Sequence, residues 1–289
     1  MTCEVMDLMS CESQNARMTV TNLRRPSKPF AAAGALLREW RAARRMSQLD
    51  LALEAGISAR HLSYVETGRS QPSRDMIARL ADALEMPLRE RNALLIAAGF
   101  APGFHETALT TVEMKPVQRA IEFIINQQEP YPALVFNRHW DVLMTNRALG
   151  RVFGLLRDVP PVHNNVMRQV FDPNDMRSAV VNWEEVAGDL IRHLHNEVAA
   201  APTDMKARAL LDEILAYPGI PARWRTREVD AAPLPLLTTV FGRGNLELRF
   251  FSTFTTFGTP RDITLDELRI ECLFPADEET AQTCRNLTR

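Results

Sequence analysis

Between Ser47 and Arg69 the chain carries a set of side chains suited to nucleic acid, at helical spacing. Arg60 is the most specific of them. Its guanidinium can grip the edge of a guanine with two hydrogen bonds, worth about 1–3 kcal/mol of discrimination against other bases. Ala59, Arg60, Ser63 and Tyr64 fall on one outward face, with Ser58 just ahead of them and His61 at the flank. Gln48 opens the preceding helical stretch, where its amide can reach a phosphate. Arg69 follows Gly68 in the next loop, placed for backbone contact. No comparable set supports catalysis. There is no Gly-rich phosphate loop, no nucleophile elbow and no carboxylate pair at a telling spacing, so no catalytic residue and no enzymatic activity is expected.

The elements that hold these side chains are written around them. Ser47 can cap a helix and Asp50, three residues on, completes a capping box. Leu49, Ala52 and Leu53 then share one face, which predicts the buried side of a first short helix. Gly56 supplies the left-handed residue that stops it, and Ile57 plugs the turn into the core. Ser58 caps a second helix whose buried stripe is Leu62 and Val65. An ordinary helical hairpin with solvated polar residues is the competing reading, and the neighbours weigh against it. A helix from Gly34 to Arg45 carries Leu36, Leu37 and Trp40. Ser73 caps another with Met76, Ile77, Leu80 and Leu84, and Pro87 opens a fifth with Leu88, Leu94 and Leu95. Such a group of short helices makes a compact unit.

Residues 34–100 resemble the phage-repressor-like helix-turn-helix family, the XRE family. The resemblance is carried by Leu36-Leu37-Arg38-Glu39-Trp40-Arg41, by Ser47-Gln48-Leu49-Asp50-Leu51-Ala52 and by Val65-Glu66-Thr67-Gly68-Arg69-Ser70-Gln71-Pro72-Ser73. It implies that Gln48 touches phosphate, that Ala59, Arg60 and Tyr64 face the bases, and that Arg41 pairs with Glu66 to lock the first helix onto the recognition helix. Small amides are frequent in the family where Ala59 and Arg60 stand, so the DNA sequence read cannot be copied from a relative.

At 289 residues two domains are expected. No run approaches the roughly 18 apolar residues of a membrane span, and no secretory signal precedes the chain's first helix. Cys3, Cys11, Cys272 and Cys284 lack metal-ligand spacing, which points to free thiols in a reducing cytoplasm and to no metal. Charge is uneven. Residues 31–100 hold ten arginines against eight acids, whereas residues 101–289 hold 20 basic against 25 acidic residues. Basic charge on the nucleic-acid half is what counterion release favours. Residues 1–29 read as a disordered basic tail, with an arm along DNA as the alternative. Residues 30–100 form the helix-turn-helix domain, 101–115 a linker and 116–289 a second domain.

In that second part Pro116 starts a helix with Val117, Ala120, Ile121, Ile124 and Ile125 buried. Tyr131–Phe136 and Trp140–Thr145 read as a hairpin around Asn137-Arg138, followed by a helix from Asn146 through Phe153. Asp175–Ala200 reads as one long helix and Thr203–Tyr217 as the next. Leu246–Phe257 and the alternation Leu268, Ile270, Cys272, Phe274 read as strands, and Asp277 caps a last helix. The expected fold is therefore multi-domain: an all-α five-helix unit, then an α+β domain whose small antiparallel sheet is covered on one face by helices.

This order resembles the PAS-like ligand-binding domain of MmyB-like transcription regulators, over roughly residues 105–289. The stretches that carry it are Tyr131-Pro-Ala-Leu-Val-Phe-Asn-Arg-His-Trp-Asp-Val-Leu, Asn146, Phe257-Gly-Thr-Pro-Arg-Asp-Ile-Thr-Leu-Asp-Glu-Leu-Arg-Ile-Glu and Phe274-Pro-Ala-Asp277. The resemblance implies a small, partly apolar effector, fatty-acid-like, held between sheet and helices, and no bound cofactor. Trp140, Phe250 and Phe254 are the candidate apolar walls. Asn146, His163, His193 and Thr253 are the candidates for a polar head group. Plain core is the alternative for each aromatic. His193 and His195 point apart on a helix and cannot share a metal. The function expected is a sequence-specific regulator, a homodimer on a double-stranded operator, with an effector domain. A second domain that grips a protein partner is the alternative. A self-cleaving repressor is disfavoured, because after the boundary the serines Ser178 and Ser252 lack a well-placed lysine beyond Lys115 and Lys206.

Overall fold

The computed structural model describes residues 30–226 and 236–288. The amino-terminal tail lies outside the described residues. In the first region three serines start three helices. The hydroxyls of Ser47, Ser58 and Ser73 accept from the N–H groups of Asp50, His61 and Met76, and Asp50 returns the bond to complete a capping box. The helices are α1 (Ala31–Ala43), α2 (Gln48–Glu54), α3 (Ala59–Glu66), α4 (Arg74–Ala83) and α5 (Leu88–Ala97). Gly56, at φ 62°, ends α2 as a left-handed stop. Gly34 has a different task. A Cβ there would meet the carbonyl oxygens of Glu66 and Val65 at 2.5 and 2.6 Å, so only glycine lets α1 lie against the end of α3. Leu37, Trp40, Leu51, Leu62, Val65, Ile77, Leu80 and Leu94 form the shared core.

The expected face of α2 is wrong by one position. Leu51 and Ala52 are buried, while Leu49 and Leu53 stand 59% and 71% exposed. Two turns of helix hold too few apolar positions for periodicity to choose between the neighbouring stripes. The segment expected as a linker is also pinned. Asn92 accepts from Gly103 N and Phe104 N and donates to Phe104 O, and Thr107 binds Asp262 through both its N–H and its hydroxyl.

The second region contains α6 (Lys115–Gln127), β1 (Ala133–Phe136), β2 (Val142–Thr145), α7 (Arg147–Leu156), α8 (Val166–Phe171), α9 (Trp183–Ala200), α10 (Met205–Ala216), β3 (Thr238–Arg243), β4 (Leu246–Thr255), α11 (Ile263–Asp266), β5 (Arg269–Pro275) and α12 (Glu278–Asn286). The strands form one sheet in the order β2-β1-β5-β4-β3, with every neighbouring pair antiparallel. β5 is central, and its alternate residues face opposite ways. Ile270 and Cys272, paired with Val135 and Ala133, meet Ile121 and Ile125 of α6. Glu271 and Leu273 face the other way, with Leu134, Phe250 and Phe254, toward α7, α8 and α9. Helices therefore cover both faces, not one.

Three further expectations give way, and two elements are new. Ala120 of α6 is exposed. Trp140 lies in the β1–β2 turn at φ 68°, not on a strand. The helix expected from Asp175 is broken. A 3-10 turn covers Met176–Ala179, Val180 is extended and bridges to Phe241 of β3, Val181 N donates to Val240 O at 2.7 Å, and α9 starts only at Trp183. β3 and α8 were not foreseen. β3 is an edge strand with half-buried residues and no clear alternation, and its Gly242 leaves room for Val181, whose Cγ2 would lie 2.6 Å from an added Cβ.

Candidate functional site

α3 buries Leu62, Val65 and Glu66 and turns its remaining residues outward. Arg60 is exposed. Its Nε donates to the Tyr64 hydroxyl at 3.2 Å, and its guanidinium lies 5.6 Å from the Tyr64 ring, so the two side chains stand together on the free face. Ala59 and Ser63 are half-buried beside them, and the Ser58 hydroxyl is engaged in capping. His61 is half-buried and its Nε2 has no hydrogen-bond partner among the described residues. Arg69 is exposed just past Gly68, and its N–H donates to Tyr64 O at 2.8 Å.

Behind this face the buried Glu66 carboxylate binds three elements together. Arg41 Nε reaches Oε1 at 2.7 Å and Arg41 Nη2 reaches Oε2 at 3.1 Å. Gln48 Nε2 donates to Oε2 at 2.7 Å, so the Gln48 amide is engaged inward, bracing α3. A buried carboxylate with a bidentate arginine and a further donor is satisfied, and its angle to α1 and α2 is fixed.

The second region contains a cavity of about 810 Å³. Its walls are residues of all five strands, the helices α7, α8 and α9, the loop after α7, and Leu236 and Leu237 ahead of β3. Trp140, Phe250, Phe254, His163 and His193 all line it. Asn146 and Thr253 do not. Asn146 is buried and fully used: Oδ1 accepts from Ala133 N and Leu149 N, while Nδ2 donates to Ile125 O and Tyr131 O. Its types suggested a ligand contact, but the helix cap and the strand claim every bond it can make. Thr253 pairs with Cys272 and so faces α6. His163 holds Asp172 at 2.7 Å, which keeps that carboxyl below its usual range. Two glycines one helical turn apart on α7, Gly150 and Gly154, also line the cavity, and a Cβ at either would meet nothing within 4 Å. Their spacing was visible in the sequence as a gap in an otherwise apolar helix.

Sequence reasoning placed a turn at Asn137-Arg138 but missed that it joins the cavity to the first region. Trp140 lines the cavity and donates from Nε1 to Glu197 at 2.9 Å; burial pushes that carboxyl up from its ordinary value. Two residues earlier Arg138 points the other way. It pairs with Glu267 at 2.8 Å, with Asp204, and with Glu90 of α5 at 3.4 Å. Burial works against the Asp204 charge, but His139, the Ala207 N–H and Arg138 together hold its carboxyl well below the usual range. Glu267 also takes Arg89 of α5 at 2.7 Å, and Thr203 donates to Glu90 at 2.7 Å. The partners lie far apart along the chain, so no local pattern announces them. Among the described residues no group of His, Cys, Asp and Glu is placed to hold a metal, and no helix is long and apolar enough to cross a membrane.

Comparison with known proteins bears on both regions. The family described as MmyB-like transcription regulator ligand binding domain matches residues 117–287, and a helix-turn-helix domain family matches residues 32–94. Among solved structures, the restriction-modification controller protein C.AhdI from Aeromonas hydrophila is 35% identical over 22% of this chain and 94% of its own, with a TM-score of 0.21. The clp gene regulator ClgR from C. glutamicum is 31% identical over 25% of this chain and 88% of its own, with a TM-score of 0.22. No curated protein gives a significant match.

Proposed function

This chain belongs to the MmyB-like transcription regulator family and is a DNA-binding transcriptional regulator, with a helix-turn-helix ahead of its ligand-binding domain; from that premise we propose how the work is divided. α3 reads an operator in the major groove, with Arg60 and Tyr64 on base edges, Ala59 and Ser63 close to them, and Arg69 on the backbone. The cavity takes a small, partly apolar effector. The protein acts in the cytoplasm without catalysis, as a homodimer whose two recognition helices meet half-sites about 34 Å apart on near-palindromic DNA.

The observation that carries the effector reading is the cavity itself. At about 810 Å³, lined mainly by apolar and aromatic side chains with a few polar groups, it has the size and make-up of a small-molecule site. It also favours a small ligand over a protein partner, which would need an exposed surface. The Trp140–Arg138 turn supplies the route to the DNA. A ligand that moves Trp140 shifts the residue two places from the one that holds Glu90 and Glu267, and through them α5.

Native against denaturing mass spectrometry on freshly purified protein tests the effector reading. A small molecule retained natively and released on denaturation is expected. For the DNA reading, Arg60→Ala is expected to leave the fold intact and to cost about 1–3 kcal/mol of discrimination between operator and scrambled DNA. An unchanged preference in a binding titration would remove Arg60 from the reading face.

A further inference from the structure

Among the described residues, one carboxyl that lines the cavity has no cationic counterpart. Glu271 sits on the central strand β5, with Leu134 opposite it on β1 and Phe254 opposite it on β4. Apart from His193, the other charged or titratable lining groups are matched. Arg157 is held by Asp175 at 2.6 Å, Asp158 by Arg243 at 2.6 Å, Asp189 by Arg192 at 2.6 Å and His163 by Asp172. Glu271 has no cationic partner among the described residues; the Ser252 hydroxyl is its polar neighbour. Burial pushes its carboxyl up to about 7, with Ser252 offsetting part of the effect. This carboxyl stands half-buried in the middle of the sheet and lines the cavity without a cationic partner among the described residues, so a cation in the cavity would gain a charge-assisted contact there.

The surroundings indicate what that is. Phe254 packs edge-on to Phe136 with centroids 5.9 Å apart, and Phe136 stacks on Trp140 at 4.9 Å. His193 lies 6.3 Å from Phe254, and the Trp140 indole is fixed by Glu197. Aromatic faces beside a carboxylate suit an ammonium, which gains from both the ring quadrupoles and the charge. An anionic head group would gain from neither and would raise the Glu271 proton affinity further.

We propose that the cavity selects an amphiphilic cation, an apolar body carrying a protonated amine, with the amine seated on Glu271 beside Phe254. This rests on the reading of the cavity as the effector site. The ligand class then differs from a free fatty acid at its polar end, while the apolar body fills the space beside Gly150 and Gly154.

The test is calorimetric titration of the full chain with octylamine, octan-1-ol and octanoate, each below its micelle concentration, near neutral pH. Octylamine is expected to bind at least about tenfold tighter than the other two, the least that one charge-assisted contact should give. Glu271→Gln should level octylamine with octanol, and Glu271→Asp, which keeps the charge, should retain the preference. Gly154→Phe, which fills the cavity, should abolish all binding. Tighter binding of octanoate, equal binding of octanol, or an amine preference that survives Glu271→Gln overturns the proposal while leaving the cavity reading in place. If none of the probes binds, or if binding survives Gly154→Phe, the cavity reading falls with it. Thermal melting of each variant separates loss of binding from loss of fold.

Discussion

Glu271 gives the clearest consequence at the residue scale. An unfolded chain releases the Glu proton near its ordinary value of about 4.3, whereas the folded chain releases it near about 7. Between these values the folded state holds the extra proton, so this group's contribution to stability falls as pH rises through that window and levels off above it. Glu271→Gln removes the slope. Its stabilisation relative to the natural chain is expected to be small near pH 5 and to grow by about 1–2 kcal/mol near pH 8, less than the full shift because the half-buried side chain is screened by solvent. Urea unfolding at both values checks it, and a difference independent of pH would mean that Glu271 titrates like an exposed carboxylate. Asp204 works the other way. Its depressed carboxyl adds stability that is lost as pH falls below the ordinary carboxylate range, so the comparison with the Gln variant is needed to isolate Glu271.

Elements explain why glycines in two helices have opposite meanings. In α1, Gly34 permits contact: an added Cβ would lie 2.5 Å from Glu66 O, a backbone atom that cannot swing aside. Gly34→Ala is expected to destabilise by about 1–3 kcal/mol and to loosen α3, read by a lower Tm and weaker operator binding. In α7, Gly150 and Gly154 keep space open. Gly150→Ala and Gly154→Ala each remove backbone freedom from the unfolded chain without meeting any atom, and each is expected to stabilise by about 0.5–1 kcal/mol. If both instead destabilise, α7 packs more closely on the sheet than the cavity requires. Against this gain stands the lost volume, so these variants should bind a bulky effector less well.

At the scale of the whole molecule the two cores meet through charge. Arg138 and Glu267 lie in the sheet region, Arg89 and Glu90 on α5, and Thr203 and Asp204 in the α9–α10 connection. Buried pairs of this kind add little net stability but cost about 3–5 kcal/mol when one partner is removed. They therefore fix relative orientation more than they hold the parts together. Arg138→Met is expected to leave effector binding within about twofold while removing most of the 1–3 kcal/mol by which an effector typically changes affinity at a second site. Anisotropy titrations of operator DNA with and without effector read this directly. Coupling that persists in the variant would place the route elsewhere, for example through the Thr107–Asp262 contacts.

Much of the first region could be read from the residues because its signals are local. Serine caps, Gly56 and the Leu62–Val65 stripe each act within a few positions, and the structure holds the corresponding helices. The order of most second-region elements was readable for the same reason. The face of α2 and the edge strand β3 were not, since a seven-residue helix and a half-buried strand have too little periodicity to choose a side, and the break at Val180 comes from its pairing with that distant strand. The cavity is a matter of tertiary structure altogether. Asn146 and Thr253 had the right chemistry for a ligand, but a cap and a strand register direct them elsewhere. Glu271 carries no signal of its own in the alternating strand, and is a cavity group only because helices cover both faces of the sheet. Its neighbour across the sheet, Leu134, is 137 positions away in the chain, a proximity that strand pairing creates and spacing cannot encode.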